Sequence, residues 1–176
     1  HISIGANWHG YDTVKSQVLY VAGEGQYRDI LSRLRAWEAL NGTQAPDFFT
    51  RLSPIRLDDT DKVERALARI TRVKEFEPRL VILDTLSQCA GNIAENSADD
   101  ARRIYQACKL IGERFGATVL VIHHSGKAEN AIMRGSSALF DDSDFVYEMR
   151  RPGWQSGGLD CSLTCRKIKN GKPLFD

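Results

Sequence analysis

Hydrophobic and polar positions along the chain follow two periods, which predict strands that alternate with helices. Three short apolar runs lack polar interruptions, as is typical of buried strands in a parallel sheet. These runs are 17–22, 80–83 and 118–122. Helically spaced apolar positions lie between or after them, at 27–37, 63–73 and 104–115. Two β-branched and aromatic runs, 144–149 and 163–168, predict further strands. This order indicates an α/β fold with a parallel sheet.

Capping and breaking residues set the limits of the predicted helices. Asn41-Gly42 ends the first helix. The second begins near 58–60, where acidic and hydroxyl side chains can cap it, buries Val73 and is closed by Pro78. Ser97 starts the third helix with a capping box.

Composition indicates one folded domain over residues 1–176. Hydrophobic residues make up 42% and charged residues 27% of the chain, and 24 Lys+Arg against 23 Asp+Glu leave a net charge of +1. These values exclude disorder and a coiled-coil rod, and they argue against a wholly basic nucleic-acid coat. No apolar stretch approaches the roughly 18 residues of a membrane span, and the amino terminus lacks signal-peptide features. We therefore expect a cytoplasmic protein without a membrane partner.

The four cysteines are expected to be buried, reduced thiols, because they lie in apolar segments without a C-x-x-C pair. Cys161 and Cys165 with His123 and His124 could in principle bind zinc. Four-residue spacing on a strand places the two sulfurs too far apart for a tetrahedral site, which argues against this alternative.

Chemically active side chains collect where the predicted parallel strands end. Glu24, Asp84, His123 and His124 each follow an apolar run. Ligands of open parallel sheets bind outside the carboxyl ends of the strands. The sequence therefore predicts a site at this edge of the sheet.

Asp84, Glu24 and His124 each have two interpretations. Asp84, beside the hydroxyls of Thr85 and Ser87, could bind Mg²⁺ directly or through water, or could simply cap a loop. Glu24 lies between two glycines, where it could polarise a water for attack on a phosphate or serve only as a polar turn residue. His124 could hydrogen-bond a phosphate oxygen or be an ordinary polar residue.

Five segments, in this order, resemble the RecA-like ATPase core, and in particular the RepA-like hexameric replicative helicases of plasmid and phage type. They are Val-Leu-Tyr-Val-Ala-Gly-Glu24, Leu-Val-Ile-Leu-Asp84-Thr-Leu, Val-Leu-Val-Ile-His-His124-Ser-Gly-Lys, Arg134-Gly-Ser-Ser-Ala and Lys167-Ile-Lys169-Asn-Gly. Each segment is short, and their specificity lies in the shared order. The resemblance implies a three-layer fold, with a mostly parallel sheet flanked by helices.

The resemblance also implies roles for individual residues. Glu24 is then the catalytic glutamate, Asp84 with Thr85 belongs to the ATP and Mg²⁺ site, and His124 senses the γ-phosphate. Lys167 and Lys169 match a pair that such hexamers project into the neighbouring subunit's nucleotide site, although alternate lysines are also ordinary on an exposed strand face.

The resemblance further implies a ring-shaped homo-oligomer, expected to be a hexamer, that acts on single-stranded DNA. The segment 125–137, with Lys127 and Arg134, resembles the DNA-contacting loop of the family, and 88–96 resembles its other central loop.

One family motif is not found in these 176 residues, namely the phosphate-binding loop Gly-x-x-x-x-Gly-Lys-Ser/Thr. His1-Ile-Ser-Ile-Gly5 resembles the end of the helix that follows that loop. We therefore expect an amino-terminally truncated RecA-like domain that alone binds ATP weakly. The favoured function is an ATPase core that drives DNA translocation or unwinding in plasmid, phage or mobile-element replication. The alternative is a non-catalytic RecA-fold module for DNA or partner binding and oligomer assembly.

Overall fold

Four parallel strands form the central sheet of the computed structural model, which describes residues 1–93, 97–124, 137–151 and 160–171. The strands are β1 (Gln17–Ala22), β2 (Phe48–Arg51), β3 (Pro78–Asp84) and β4 (Thr118–Ile122). Their order in the sheet is β2-β1-β3-β4. Strand β2 has only four residues and was not predicted from the sequence, because so short a run shows no clear period.

Among the described residues, five α-helices and one 3₁₀ turn accompany the strands. They are the 3₁₀ turn Ile2–Ile4, α1 (Tyr27–Asn41), α2 (Thr60–Ile70), α3 (Leu86–Ala90), α4 (Ala98–Phe115) and α5 (Ser137–Asp142). Helices α1 and α4 confirm the predicted elements. Ser97 caps α4 by accepting from the Asp100 amide, and Gly42 and Gly116 end α1 and α4 in the left-handed conformation.

Helix α2 is shorter than the sequence predicts. The Asp59 carboxylate caps its start by accepting hydrogen bonds from the amides of Asp61 and Lys62. The helix ends at Ile70, so the prediction that it buries Val73 and runs to Pro78 was wrong. Val73 is 52% exposed in the following turns, and Pro78 is the first residue of β3.

Helices lie on both faces of the sheet, and the main hydrophobic core lies between the sheet and helices α2 and α4. Right-handed crossovers place α1 on one face and α2 and α4 on the other. Val21, Val81 and Leu83 point to the α2 and α4 face and are fully buried. The buried strand predicted at 80–83 is confirmed, since β3 lies between β1 and β4 and both Val81 and Leu83 are fully buried.

Strand β4 is less buried than its apolar sequence predicts. It pairs with β3 in parallel and is an edge strand in the described part of the chain. Leu120 is 45% exposed and Ile122 is 39% exposed. The prediction of a buried strand was therefore wrong for β4, because a run of apolar residues does not reveal an open face.

The last two strands form a separate antiparallel ribbon. Strands β5 (Phe145–Arg150) and β6 (Ser162–Ile168) confirm the predicted elements, but they pair with each other and not with the parallel sheet. Glu148 lies in this ribbon and accepts from Arg166 at 2.5 and 2.9 Å and from Arg150 at 2.7 Å. These hydrogen bonds, first from Arg166 and then from Arg150, lower the pKa of Glu148.

The cysteines are free thiols, as expected, but not all are buried. Cys89 is buried, which raises its pKa to about 11, whereas Cys161 is exposed beside the ribbon. In the described ranges, no three His, Cys, Asp or Glu residues cluster as a metal site. None of the helices described here has the length and apolar character needed to cross a bilayer.

Candidate nucleotide site

The sheet register brings the three predicted strand ends to one edge. Ala22 pairs with Asp84, and Asp84 pairs with Ile122. Glu24, Asp84 and His124 therefore follow, or lie at, the carboxyl ends of three adjacent strands. This is the edge at which parallel α/β sheets bind ligands.

Asp84 is held by a tyrosine from the neighbouring strand. The Tyr20 hydroxyl donates a hydrogen bond to Asp84 Oδ2. Burial raises the pKa of Tyr20 to about 12, and the hydrogen bond to Asp84 adds to this effect. Tyr20 thus remains a hydrogen-bond donor well above neutral pH. Sequence reasoning missed Tyr20, because its aromatic ring fits the predicted strand and only the pairing of β1 with β3 places it next to Asp84.

The Glu24 carboxylate is held by hydroxyl groups of residues that follow Asp84 in the sequence. Thr85 Oγ1 donates to Glu24 Oε1 at 2.7 Å and lies 2.9 Å from Ser87 Oγ. Because a hydroxyl donates one proton, Ser87 is the donor in the second bond. Thr85 is only 5% exposed, so this hydrogen bond fixes the Glu24 carboxylate from the protein interior.

Gly23 allows the loop that bears Glu24 to pass close to β3 and α3. Its amide donates to the Asp84 carbonyl oxygen at 2.6 Å. A Cβ at this position would lie 2.5 Å from the Cβ of Gln88, so a larger residue would push the loop away. Glycine at this position therefore brings the Glu24 loop next to Asp84 and Thr85.

His124 lies at the same edge but is not part of this hydrogen-bonded group. It is exposed after β4 and makes no hydrogen bond to the described residues. Its predicted role as a phosphate sensor stays a prediction.

The two lysines of β6 make contacts within their own subunit. Lys167 Nζ donates to the carbonyl oxygens of Phe140 at 2.8 Å and Asp141 at 2.5 Å, and it lies 5.4 Å from the centre of the Phe140 ring. Lys169 Nζ pairs with Asp144 Oδ1 at 3.5 Å. These contacts join β6 to the last turn of α5 and the residues after it. Action of the lysines in a neighbouring subunit stays a prediction.

The predicted DNA loops are described only in part. Lys127 and Arg134 lie outside the described residues. The other loop, predicted over 88–96, does not begin as a loop, because its first three residues belong to α3, and 94–96 lie outside the described ranges. Leu86 and Cys89 pack into the core and give this segment its helical turn.

The oxygen donors of the site fit a hard divalent cation. Asp84 uses Oδ2 for Tyr20, so Oδ1 is available, and Glu24 lies one hydrogen bond from Thr85. Mg²⁺ prefers one or two carboxylates together with water and phosphate oxygens. The donor set therefore suits Mg²⁺ held by Asp84, directly or through water.

Comparison with protein-family models identifies the family of the chain. A family model described as an AAA domain matches residues 1–130. The chain belongs to this AAA domain family. The matched residues include the whole parallel sheet together with Glu24, Asp84 and His124. Membership supports a P-loop, RecA-like ATPase fold and a nucleotide-binding, ATPase-type function, for which nucleotide and Mg²⁺ are the general ligands. No curated protein matches the chain.

Proposed function

We propose that this AAA domain couples ATP hydrolysis to translocation on, or unwinding of, single-stranded DNA. In this proposal it works in the cytoplasm as a single domain over 1–176 within a homo-oligomeric ring, expected to be a hexamer. The process is plasmid, phage or mobile-element replication, as in the RepA-like helicases that the sequence resembles. The observation that supports the proposal most is the hydrogen bond to Glu24 from Thr85, the residue after Asp84, at the carboxyl edge of the sheet.

Two carboxylates near one another repel, so their placement costs stability unless a cation or a proton donor offsets it. Here each carboxylate accepts from a different hydroxyl, Asp84 from Tyr20 and Glu24 from Thr85. The two groups are therefore held separately and can take different roles. We assign Asp84 to the Mg²⁺ that accompanies ATP and Glu24 to the water that attacks the γ-phosphate.

The sequence order explains why the Glu24 loop can do this. Glu24 is two residues beyond β1, and Gly23 lets the loop pass close to the end of β3 before α1 begins. Thr85 fixes one oxygen of the Glu24 carboxylate, which leaves the other free to accept a proton from water. ATP with Mg²⁺ supplies the phosphoryl group, and the protein supplies the orientation of the water.

The test compares Glu24→Gln with wild type in the natural protein, including any residues that precede His1. Turnover of ATP should fall by about a hundredfold or more, because general-base catalysis contributes that much, while ATP affinity stays nearly unchanged. Asp84→Asn should instead raise the Mg²⁺ concentration needed. Glu64→Gln, an exposed position on α2, is the matched control and should behave as wild type. Equal turnover for wild type and Glu24→Gln would remove Glu24 from the mechanism.

The alternative function is a non-catalytic module for DNA or partner binding and oligomer assembly. The observation that favours it is that Lys167 makes its hydrogen bonds within its own subunit, where its ammonium group donates to two carbonyl oxygens of α5. Mixing experiments separate the two functions. Glu24→Gln subunits and Lys167→Ala/Lys169→Ala subunits, each inactive alone, should regain partial ATP turnover together if the lysines act across an interface.

A further inference from the structure

A buried guanidinium nitrogen lies at the end of the edge strand β2. Arg51 Nε is buried and has no hydrogen-bond partner. Burial, together with the nearby charge of Arg69, lowers the pKa of Arg51. A buried donor without an acceptor is costly, and a second cation beside it adds to the cost. An anion close to both guanidinium groups would offset the repulsion between them.

Packing between β2 and the end of α2 explains how the two arginines come together. Phe49 and Arg51 are two residues apart on a strand, so they point to the same face. The Phe49 ring packs on Phe76 with 4.6 Å between ring centres. Phe76 follows α2, so Arg51 lies on the face of the sheet that α2 covers, and it is close enough to Arg69 for the two charges to repel.

Arg65 and Arg72 add positive charge before and after Arg69. Arg65 stands four residues before Arg69, which is the spacing of one helix face, Arg72 lies in the turn just after the helix, and all three are exposed. We name Arg51, Arg65, Arg69 and Arg72 the arginine row. Within the described residues, none of the four forms an ion pair. By contrast, Lys62 on the same helix pairs with Asp58 and Asp59.

We propose that the arginine row binds the phosphate backbone of single-stranded nucleic acid. The arginine row forms no ion pairs with acidic side chains, so it suits a ligand whose successive charges are all negative, such as a phosphate backbone. Protein surfaces, by contrast, carry both positive and negative charges. Guanidinium groups also match phosphate oxygens in a bidentate way, and a phosphate beside Arg51 and Arg69 would offset the repulsion between their charges.

The shape of the surface favours a single strand over a duplex. Arginines four positions apart on a helix are spaced by about 6 Å along a convex surface. A flexible single strand can follow this surface, but a duplex resists bending over so short a distance. The inference rests on the proposed function for the class of partner only, because binding here requires neither ATP nor the segment 125–137.

The experiment measures binding of a short fluorescent oligothymidine by anisotropy, without nucleotide, over a series of salt concentrations. The variant is Arg69→Gln/Arg72→Gln, whose exposed positions leave the core intact. The control is Arg102→Gln/Arg103→Gln, which removes the same charge from arginines already paired with acidic residues of α4. The variant should bind about tenfold more weakly, and its salt slope should fall by about 1.4, or 0.7 for each lost phosphate contact. The control should retain the wild-type slope.

Two results would overturn the inference. One is an unchanged affinity and salt slope for Arg69→Gln/Arg72→Gln. The other is competition by polyglutamate as strong as that by unlabelled oligothymidine, which would identify a surface for acidic proteins. ATP turnover of the same variants without DNA keeps this inference separate from the proposed function. Normal ATP turnover together with unchanged DNA binding by Arg69→Gln/Arg72→Gln would refute only the proposal for the arginine row. If this variant loses DNA binding as expected but neither it nor the wild type hydrolyses ATP, only the ATPase proposal is refuted.

Discussion

Replacing Tyr20 with phenylalanine tests how the structure holds Asp84. The substitution removes one hydroxyl and keeps the aromatic ring that packs at 5.8 Å from the Phe48 ring. Asp84 Oδ2 then loses the donor that Tyr20 provides. Tyr27→Phe is the matched control, since the Tyr27 side chain is 52% exposed at the start of α1.

The expected loss follows from the charge of the acceptor. Hydrogen bonds to charged groups contribute about 1.5–3 kcal/mol, and partial exposure of both residues favours the lower value, about 1.5 kcal/mol. For a domain of this size, that corresponds to a decrease in Tm of about 3–6 °C. Tyr27→Phe should change Tm by less than about 1 °C.

The pH dependence gives a second, independent measure. Tyr20 has a folded pKa of about 12, above the usual value of about 10 for tyrosine in an unfolded chain. Its contribution to stability is therefore complete below pH 10 and is lost as the pH rises toward 12. Tyr20→Phe should lack this loss. Urea unfolding, together with tyrosinate absorbance, measures both effects. Equal stability of Tyr20→Phe and Tyr27→Phe, with unchanged absorbance titrations, would refute the Tyr20 to Asp84 interaction.

Three further predictions concern the fold and the ribbon. The pKa of Glu148 is lower in the folded than in the unfolded chain, so Glu148 stabilises the fold above its unfolded pKa, and this stabilisation is lost as the pH falls through its folded pKa. Glu148→Gln should therefore reduce stability at neutral pH and make stability less dependent on pH in acid. Gly91→Ala should destabilise by more than about 2 kcal/mol in urea unfolding, since its Cβ would overlap the Asp58 carboxylate at a φ of 74°. Gly42→Ala, at a φ of 61° with open space around it, should cost only about 1 kcal/mol. Lys167→Ala should increase hydrogen exchange of α5 amides, because two α5 carbonyl oxygens lose their donor.

Strand and helix periods predicted most of the fold because they depend on local burial. The runs at 17–22 and 80–83 became β1 and β3, and the acidic residues after them lie at the predicted edge. The same periods could not show that β4 has an open face, because Leu120 has the same apolar character in a covered or an exposed strand.

The features of the site that the sequence could not predict depend on contacts between segments that lie far apart in the chain. Tyr20 meets Asp84 only because β1 and β3 pair in one register. Phe49 of β2 packs on Phe76, although 27 positions separate them in the chain. Neither contact leaves a local pattern. Thr85 and Ser87 were recognised as neighbours of Asp84, but their link to Glu24 depends on how closely Gly23 passes over β3.

The most direct test of the account measures ATP hydrolysis by the natural protein with and without single-stranded DNA. We expect Mg²⁺-dependent hydrolysis that rises when single-stranded DNA is added and nearly disappears in Glu24→Gln, with ATP binding retained. Hydrolysis that is the same in Glu24→Gln, or that does not respond to single-stranded DNA, would contradict it.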